Sequence, residues 1–392
     1  MNSLELSEKL GGPASRRRAA FAASRGGKIE IKSKQKLTAK NLPIFYTPGV
    51  AEVSRAIAKD KKLAKVFTIK KNTVAVISDG SSVLGLGNIG PEAALPVMEG
   101  KALLFKELAG VDAFPIVLAT QDTEKIIQTI KNIAPGFGGI NLEDISAPRC
   151  FEIEDRLRKE LDIPVMHDDQ HGTAIVVLAG LINALKAVKK KIGNVKIAIS
   201  GAGAAGVAIA KLLIKYGAID IITVDSRGII HKKRKGGLNK SKMEIACLTN
   251  PRNLKGTISD ALLGADVFIG VSAPNLVTKT DISKMSKRAI VFAMANPIPE
   301  IMPVIAKEGG AEIIATGRSD FPNQLNNVLV FPGIFRGVLD NNVKKITEEH
   351  KIKAAEALAF LVKNPKSGRI IPGALDKKTV KAVASVFKNK NQ

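Results

Sequence analysis

Two pairs of adjacent carboxylates stand out in the first half of the chain. Glu143-Asp144 closes the apolar run Gly139-Ile140-Asn141-Leu142. Asp168-Asp169 lies within Val165-Met166-His167-Asp168-Asp169-Gln170-His171-Gly172-Thr173. Apolar residues lead into each pair, and after the second a glycine opens an apolar run, Ala174 to Ala187, that reads as a helix. A strand, an acidic turn and a helix start can hold a hard cation at the edge of a cleft. A donor set of oxygens alone suits Mg²⁺ or Mn²⁺ rather than Zn²⁺. The same spacing also fits solvated turn charges, so the pairs must be judged by the elements that carry them.

Two further residues carry proton chemistry. Tyr46, one of only two tyrosines, stands before the turn Pro48-Gly49, after which Ala51 to Ala58 reads as a helix. A phenol there is either a packing residue with a satisfied hydroxyl or a proton donor facing a cleft. Lys101 falls in Glu99-Gly100-Lys101, at the expected start of a helix. Cations ordinarily favour the other end, and a lysine in such a position or in a dry pocket loses its proton more easily. Between these two runs lies Leu84-Gly85-Leu86-Gly87-Asn88-Ile89-Gly90-Pro91. It spells G-x-G-x-x-G, but Pro91 and Pro96 argue against a long helix opening there. We read it as a close backbone approach to a ligand rather than a dinucleotide site.

The elements that must position these groups alternate. Asn72–Ile77, Ala113–Leu118, Gly139–Leu142 and Ile163–Met166 read as strands, with helices over Glu124–Ile133 and Phe151–Leu161 between them. Such alternation implies a parallel sheet with its ligands at the carboxyl ends of the strands. Both acidic pairs fall at such ends.

A second unit follows. Val195–Ser200 is a strand; Gly201-Ala202-Gly203-Ala204-Ala205-Gly206 comes next, then an apolar helix to Tyr216, then the strand Ile221–Val224, closed by Asp225. Strand, G-x-G-x-x-G, helix, strand and acid in that order is the dinucleotide fingerprint. It expects a pyrophosphate over Gly201, Gly203, Ala204, Ala205 and Gly206 at the helix N-terminus, and a ribose on Asp225. Asp225 favours NAD, since a carboxylate repels a 2′-phosphate, while the run His231-Lys232-Lys233-Arg234-Lys235 could admit NADP; it reads first as a solvated loop. Further strands are expected over Ala265–Val271, Ala289–Ala293 and Glu312–Ala315. Asn296 and Asn327 lie at the ends of this pattern, where neutral amides can bond a carboxylate or simply form turns. Residues 341–392 read as Lys-rich amphipathic helices packed on the outside.

Composition limits the alternatives. The 392 residues suffice for two or three domains, and 45% hydrophobic with 24% charged residues is a globular balance. No apolar run is long enough to span a bilayer, and residues 1–10 carry no signal-peptide core. Two cysteines, Cys150 and Cys247, fit a reducing compartment. The net charge of +24 could mean nucleic acid, but the lysines are scattered and aromatics make up only 4%. A basic proteome or an acidic small substrate is the preferred reading.

At this point the residues resemble a known family. Tyr46-Thr47-Pro48-Gly49-Val50, the Leu-Gly-Leu-Gly-Asn-Ile-Gly loop, Glu99-Gly100-Lys101, Glu143-Asp144, His167 to Ala174, and Asn326-Asn327 with Phe331-Pro332-Gly333 are similar to malic enzyme in its short prokaryotic form. The resemblance runs over roughly residues 28 to 340 in order. It implies an α/β protein: an extension over 1–27, an N-terminal α/β domain like that of amino-acid dehydrogenases over 28–165, and a doubly wound Rossmann domain over 166–392. It implies oxidative decarboxylation of L-malate to pyruvate and CO₂ with NAD or NADP and Mg²⁺ or Mn²⁺, by a cytoplasmic homodimer. Glu143, Asp144 and Asp169 would ligate the metal. Lys101 would be the general base, with Asp168 beside it, and Tyr46 the general acid. Asn296 and Asn327 would hold substrate carboxylates, with Asn296 also near the cofactor. One departure is Ser81-Ser82, where the longer eukaryotic pattern has an arginine; Arg149, Lys106 and Arg318 are candidate replacements. A malolactic conversion to lactate and a non-catalytic dinucleotide sensor are the competing readings.

Overall fold

The computed structural model describes residues 14–388. Residues 1–13 of the expected extension and 389–392 of the expected C-terminal helices lie outside the described residues. The longer helices are α1 (Ala14–Ser24), α2 (Val50–Lys59), α3 (Pro91–Ala109), α4 (Thr123–Ile133), α5 (Arg149–Glu160), α6 (Asp168–Ala187), α7 (Ala204–Lys215), α8 (Lys240–Leu248), α9 (Phe331–Asp340), α10 (Glu348–Phe360) and α11 (Lys378–Ser385).

Two sheets carry the fold. The first is wholly parallel, in the order β2 (Asp112–Val117), β1 (Thr73–Ser78), β3 (Gly139–Leu142), β4 (Val165–His167). Every residue of β1 is buried, as a strand covered on both faces requires, which is why Thr-Val-Ala-Val-Ile-Ser is a continuous run rather than an alternating one. The second runs β10 (Ala311–Thr316), β9 (Ala289–Ala293), β8 (Val267–Gly270), β5 (Lys196–Ser200), β6 (Asp220–Asp225), β7 (Gly228–Ile229), parallel except for the short β7. In each sheet the chain leaves a central strand in one direction and later returns on its other side. The switch points lie between β1 and β3 and between β5 and β8, where open α/β sheets place ligands.

Helix α6 joins the two halves. It starts where β4 ends and is buried on nearly all sides from Ala174 to Leu185, the pattern of a central helix rather than a surface one. It packs against α7 and α10, and its side chains share one hydrophobic core with β5, β8 and β9.

Four expectations are corrected here. A long helix does open directly after the Leu-Gly-Leu-Gly loop: α3 has Pro91 in its first turn and contains Pro96. Pro91 suits a helix start, where its missing N–H costs nothing. Lys101 therefore lies in the middle of α3, not in its first turn, and is buried by its neighbours rather than tuned by the helix end. The Asp168-Asp169 pair is the first turn of α6 itself, not a turn ahead of it. The C-terminal helices do not merely coat the surface: Ala354, Ala355 and Leu358 of α10 and Val383 of α11 belong to the main core. No helix among the described residues is long and apolar enough to cross a membrane.

Candidate active site

A cleft of about 660 Å³ lies where the two switch points face each other. Its walls bring together Lys101, Glu143, Asp144 and Asp169 from the first half with Gly203, Ala204, Ala205, Asn296 and Asn327 from the second. At Gly85 the halves approach closely: a Cβ there would meet the Asn296 carbonyl oxygen at 1.9 Å.

On the first wall, Lys101 is 7% exposed. Its Nζ donates to Asp168 Oδ2 at 2.5 Å and lies 2.7 Å from Glu143 Oε1. It also sits 4.2 Å from the ring centre of Phe331, at the start of α9. Burial alone disfavours the ammonium, but the fields of Asp168, Glu143 and Asp169 outweigh it and raise the lysine above its ordinary value. Asp168 is fully buried, and loss of solvent pushes its carboxyl up to about 7 against the pull of Lys101.

Glu143, Asp144 and Asp169 can each offer an oxygen such that all lie within 4.8 Å of one another. Asp144 has φ +55°, a left-handed conformation uncommon outside glycine, asparagine and aspartate. That turn aims its N–H at Asp169 Oδ2, 2.8 Å away. Glu143 is steadied by Asn141 Nδ2 at 2.9 Å. Burial raises both Asp144 and Glu143; repulsion from Asp169 and Glu143 adds to it at Asp144, while at Glu143 the pull of Lys101 opposes it and repulsion from Asp169 adds to it. Asp144 Oδ2 is buried without a hydrogen-bond partner among the described residues. Such an oxygen is costly unless something cationic meets it. Three converging carboxylates with one orphaned oxygen fit a hard divalent cation.

The second wall is built from backbone. Helix α7 opens at Ala204, and its N-cap Gly203 makes no side-chain cap, leaving N–H groups for an anion. Gly206 is the packing glycine: a Cβ there would lie 1.9 Å from the Gly201 carbonyl oxygen. Opposite, the ends of β8 and β9 are tied by Glu300, which is wholly buried. Its Oε1 accepts the Ser272 N–H at 2.7 Å and its Oε2 the Ala295 N–H at 3.0 Å. Glu300 carries no motif in the sequence, whereas Phe331 belongs to the Phe331-Pro332-Gly333 motif, which gives no hint of its contact with Lys101. A glutamate within Asn-Pro-Ile-Pro-Glu is a faint signal, since a buried acid cannot be told there from a loop charge.

Other expected residues are placed differently. Asp225 ends β6, but its carboxylate is not free: Arg234 donates to both oxygens at 2.8 and 2.7 Å, and Lys242 Nζ adds a third bond at 2.7 Å. Burial works to raise this carboxyl, yet those bonds hold it far below the usual range. The basic run is thus not simply a solvated loop, since the Arg234 side chain is 9% exposed. Tyr46 is 68% exposed and does not line the cleft. Arg149 pairs with buried Asp79, Lys106 with Asp112, and Arg318 with Asp320; none of the three lines the cleft.

A Rossmann sheet facing a second parallel sheet across a polar cleft defines the class of two-domain nicotinamide-dinucleotide oxidoreductases. The malic enzyme N-terminal domain family matches residues 26–125 and 119–158, and the malic enzyme NAD binding domain family matches residues 170–388. The chain is 60% identical over 361 residues to an NAD-dependent malic enzyme of Geobacillus stearothermophilus, covering 91% of this chain and 75% of that one. It is 56% identical to a bifunctional malic/malolactic enzyme of Bacillus subtilis, covering 91% and 88%. The crystal structure of an NAD-dependent malic enzyme from Thermotoga maritima superposes with a TM-score of 0.91 at 50% identity, covering 94% of this chain and 98% of that one. The chain belongs to the malic enzyme family.

Proposed function

We propose that this chain oxidises and decarboxylates L-malate to pyruvate and CO₂, reducing NAD⁺ or NADP⁺, with a divalent cation held by Glu143, Asp144 and Asp169. The observation that carries the reading is Lys101, buried between Asp168 and Glu143 beside that acidic set and across the cleft from the dinucleotide loop. Mg²⁺ or Mn²⁺ bound there would polarise the C2 oxygen of the substrate and stabilise negative charge as CO₂ departs.

The chain's own residues do the rest. Lys101 Nζ takes the proton of the C2 hydroxyl, and Asp168 Oδ2, at 2.5 Å, takes a proton from Nζ in turn. Of the fields that keep Lys101 charged, that of Asp168 is the largest, and those of Glu143 and Asp169 come from residues that would hold the cation; a cation there would offset them and favour the neutral amine. Asn296 and Asn327 bond the substrate carboxylates without adding charge. The dinucleotide lies over Gly203, Ala204 and Ala205, with Asp225 at the adenosine end of the same sheet.

Tyr46 protonates the enol carbon after CO₂ leaves, and it does so for a neighbouring subunit. The segment bearing it exposes Ile31, Leu37, Ile44, Phe45, Val66 and Phe67. Apolar exposure of this extent is expected where a second copy packs. A homodimer in the cytoplasm, without nucleic-acid or membrane partners, completes the reading.

The first test is the near-ultraviolet absorbance of reduced nicotinamide with L-malate and Mn²⁺, run with NAD⁺ and with NADP⁺ and followed by pyruvate assay. Metal-dependent reduction matched by pyruvate supports the reading. The name of the Bacillus subtilis relative favours a second activity: lactate formed without free reduced cofactor would mean a malolactic reaction. Mixing Tyr46→Phe chains with Lys101→Ala chains tests the shared site. Mixed dimers should regain activity that neither parent has, and no recovery would return Tyr46 to its own subunit.

A further inference from the structure

Helix α6 begins in the interior, and a buried helix start must find partners for its exposed N–H groups. Its N-cap, His167, makes no side-chain cap. The partner comes instead from another helix. Glu154 of α5 is 4% exposed. Its Oε1 accepts the His167 backbone N–H at 3.1 Å, and its Oε2 accepts Gln170 Nε2 at 3.1 Å and His171 Nε2 at 2.8 Å. One carboxylate therefore receives three donors from the first turn of α6.

The helical period explains what this does. The side chains of Gln170 and His171 face Glu154, with the backbone N–H of His167 beside them, which leaves Asp169 and Thr173 to face the cleft, and both line it; the His167 ring lies 3.4 Å from Asp169 Oδ2. The rotation of the first turn about the helix axis is set from behind. The anchoring continues to the C-terminal region: Lys351 of α10, 2% exposed, lies with Nζ 2.9 Å from His171 Nδ1 and 2.6 Å from Glu348 Oε1. Lys351 has no acceptor, so His171 Nδ1 must accept, and His171 Nε2 must then carry the hydrogen given to Glu154. Donation runs one way, from Lys351 through His171 to Glu154.

We propose that Glu154 is a positioning residue that sets the direction of the Asp169 carboxylate, and with it the affinity of the cation site, with Lys351 fixing the polarity of the chain through His171. The proposal rests on the reading that Glu143, Asp144 and Asp169 hold the metal. Groups that orient metal-binding side chains are worth 10–100-fold in metal affinity.

The test is Mn²⁺ binding to the full-length protein, measured by electron paramagnetic resonance of the free ion, with dinucleotide binding by fluorescence as the control for an intact fold. Asp169→Asn should abolish the site; if wild type binds no Mn²⁺ that this change removes, the metal reading itself fails. Given that site, Glu154→Gln should weaken Mn²⁺ binding about 10–100-fold while dinucleotide binding persists, because its amide sets donors against Gln170 and His171. Adding Lys351→Met frees His171 to move its hydrogen to Nδ1 and accept from the new amide, so the double variant should recover most of the lost affinity. A structural defect alone would worsen with the second change. Wild-type Mn²⁺ affinity in folded Glu154→Gln, or a double variant no better than the single, overturns the proposal. Should Glu154→Gln not fold, Gln170→Met removes one of the three donors; unchanged Mn²⁺ affinity there overturns it equally.

Discussion

The two walls of the cleft are made of different material. The first-sheet wall is a concentration of charge: four carboxylates and one ammonium, nearly all out of water, with burial and repulsion raising the carboxyls. The second-sheet wall presents backbone N–H groups, glycines and neutral amides, and the buried Glu300 behind it bonds the protein's own N–H groups. Under the proposed function the contrast follows from the tasks. Moving protons and holding a cation need groups whose charge is under tension, whereas recognising a dinucleotide needs close backbone approach and little charge of its own. Stability is sacrificed on one wall and kept on the other.

That contrast can be broken or sharpened by substitution. The largest effect is expected from Lys101→Ala. Removal of a general base should lower turnover by about 10²–10⁴-fold, while dinucleotide affinity, a property of the other wall, stays unchanged by fluorescence titration. A parallel loss of dinucleotide binding would mean that the walls are not independent.

Asp225→Asn tests the second sheet at the paired acid that ends β6. It leaves Arg234 and Lys242 without their partner; for a pair this sheltered, the loss is on the order of 3 kcal/mol, read as a lowered unfolding midpoint. The freed cations should also improve NADP⁺ relative to NAD⁺ in the ratio of kcat/KM values. The same pair sets a pH dependence. The Asp225 carboxyl is depressed in the fold, so its contribution is fully present above the ordinary aspartate range. It is lost only as pH falls through the lower folded value. In the Asn variant this acid-side loss should shrink, as measured by denaturation between neutral and strongly acid pH.

The smallest expected effect has the opposite sign. Without added metal, Asp144→Asn relieves repulsion among buried carboxylates, so the metal-free protein should gain about 2 °C in melting temperature. Mn²⁺ should stabilise the variant less than it stabilises the wild type. A lowered metal-free melting temperature would show that Asp144 is held by bonds rather than tolerated for function.

Legibility followed the length scale of each interaction. The Gly201–Gly206 loop, the strands around it and Glu143-Asp144 at the end of β3 were readable because their signals lie within a few consecutive residues. The place of Lys101 in its helix was not readable, because Pro91 and Pro96 suggest a break that α3 absorbs in its early turns. The cation partners of Asp225 were not readable: Arg234 and Lys242 lie 9 and 17 residues away, the first in a run that composition marks only as basic and the second beyond it. Glu154, Glu300 and Lys351 look like ordinary surface charges in one dimension, since nothing local distinguishes a buried acid or lysine from a solvated one.

Residue order alone therefore carried the alternation of strand and helix, the dinucleotide loop, and the candidate acids and lysine, because each depends on backbone geometry or residue type over short spans. Folding in space settled which charges meet: that Lys101 lies between Asp168 and Glu143, that Arg234 closes on Asp225, and that Glu154 holds the start of α6. Electrostatic energy depends on distance and on exclusion of water, and both are set by elements far apart in the chain.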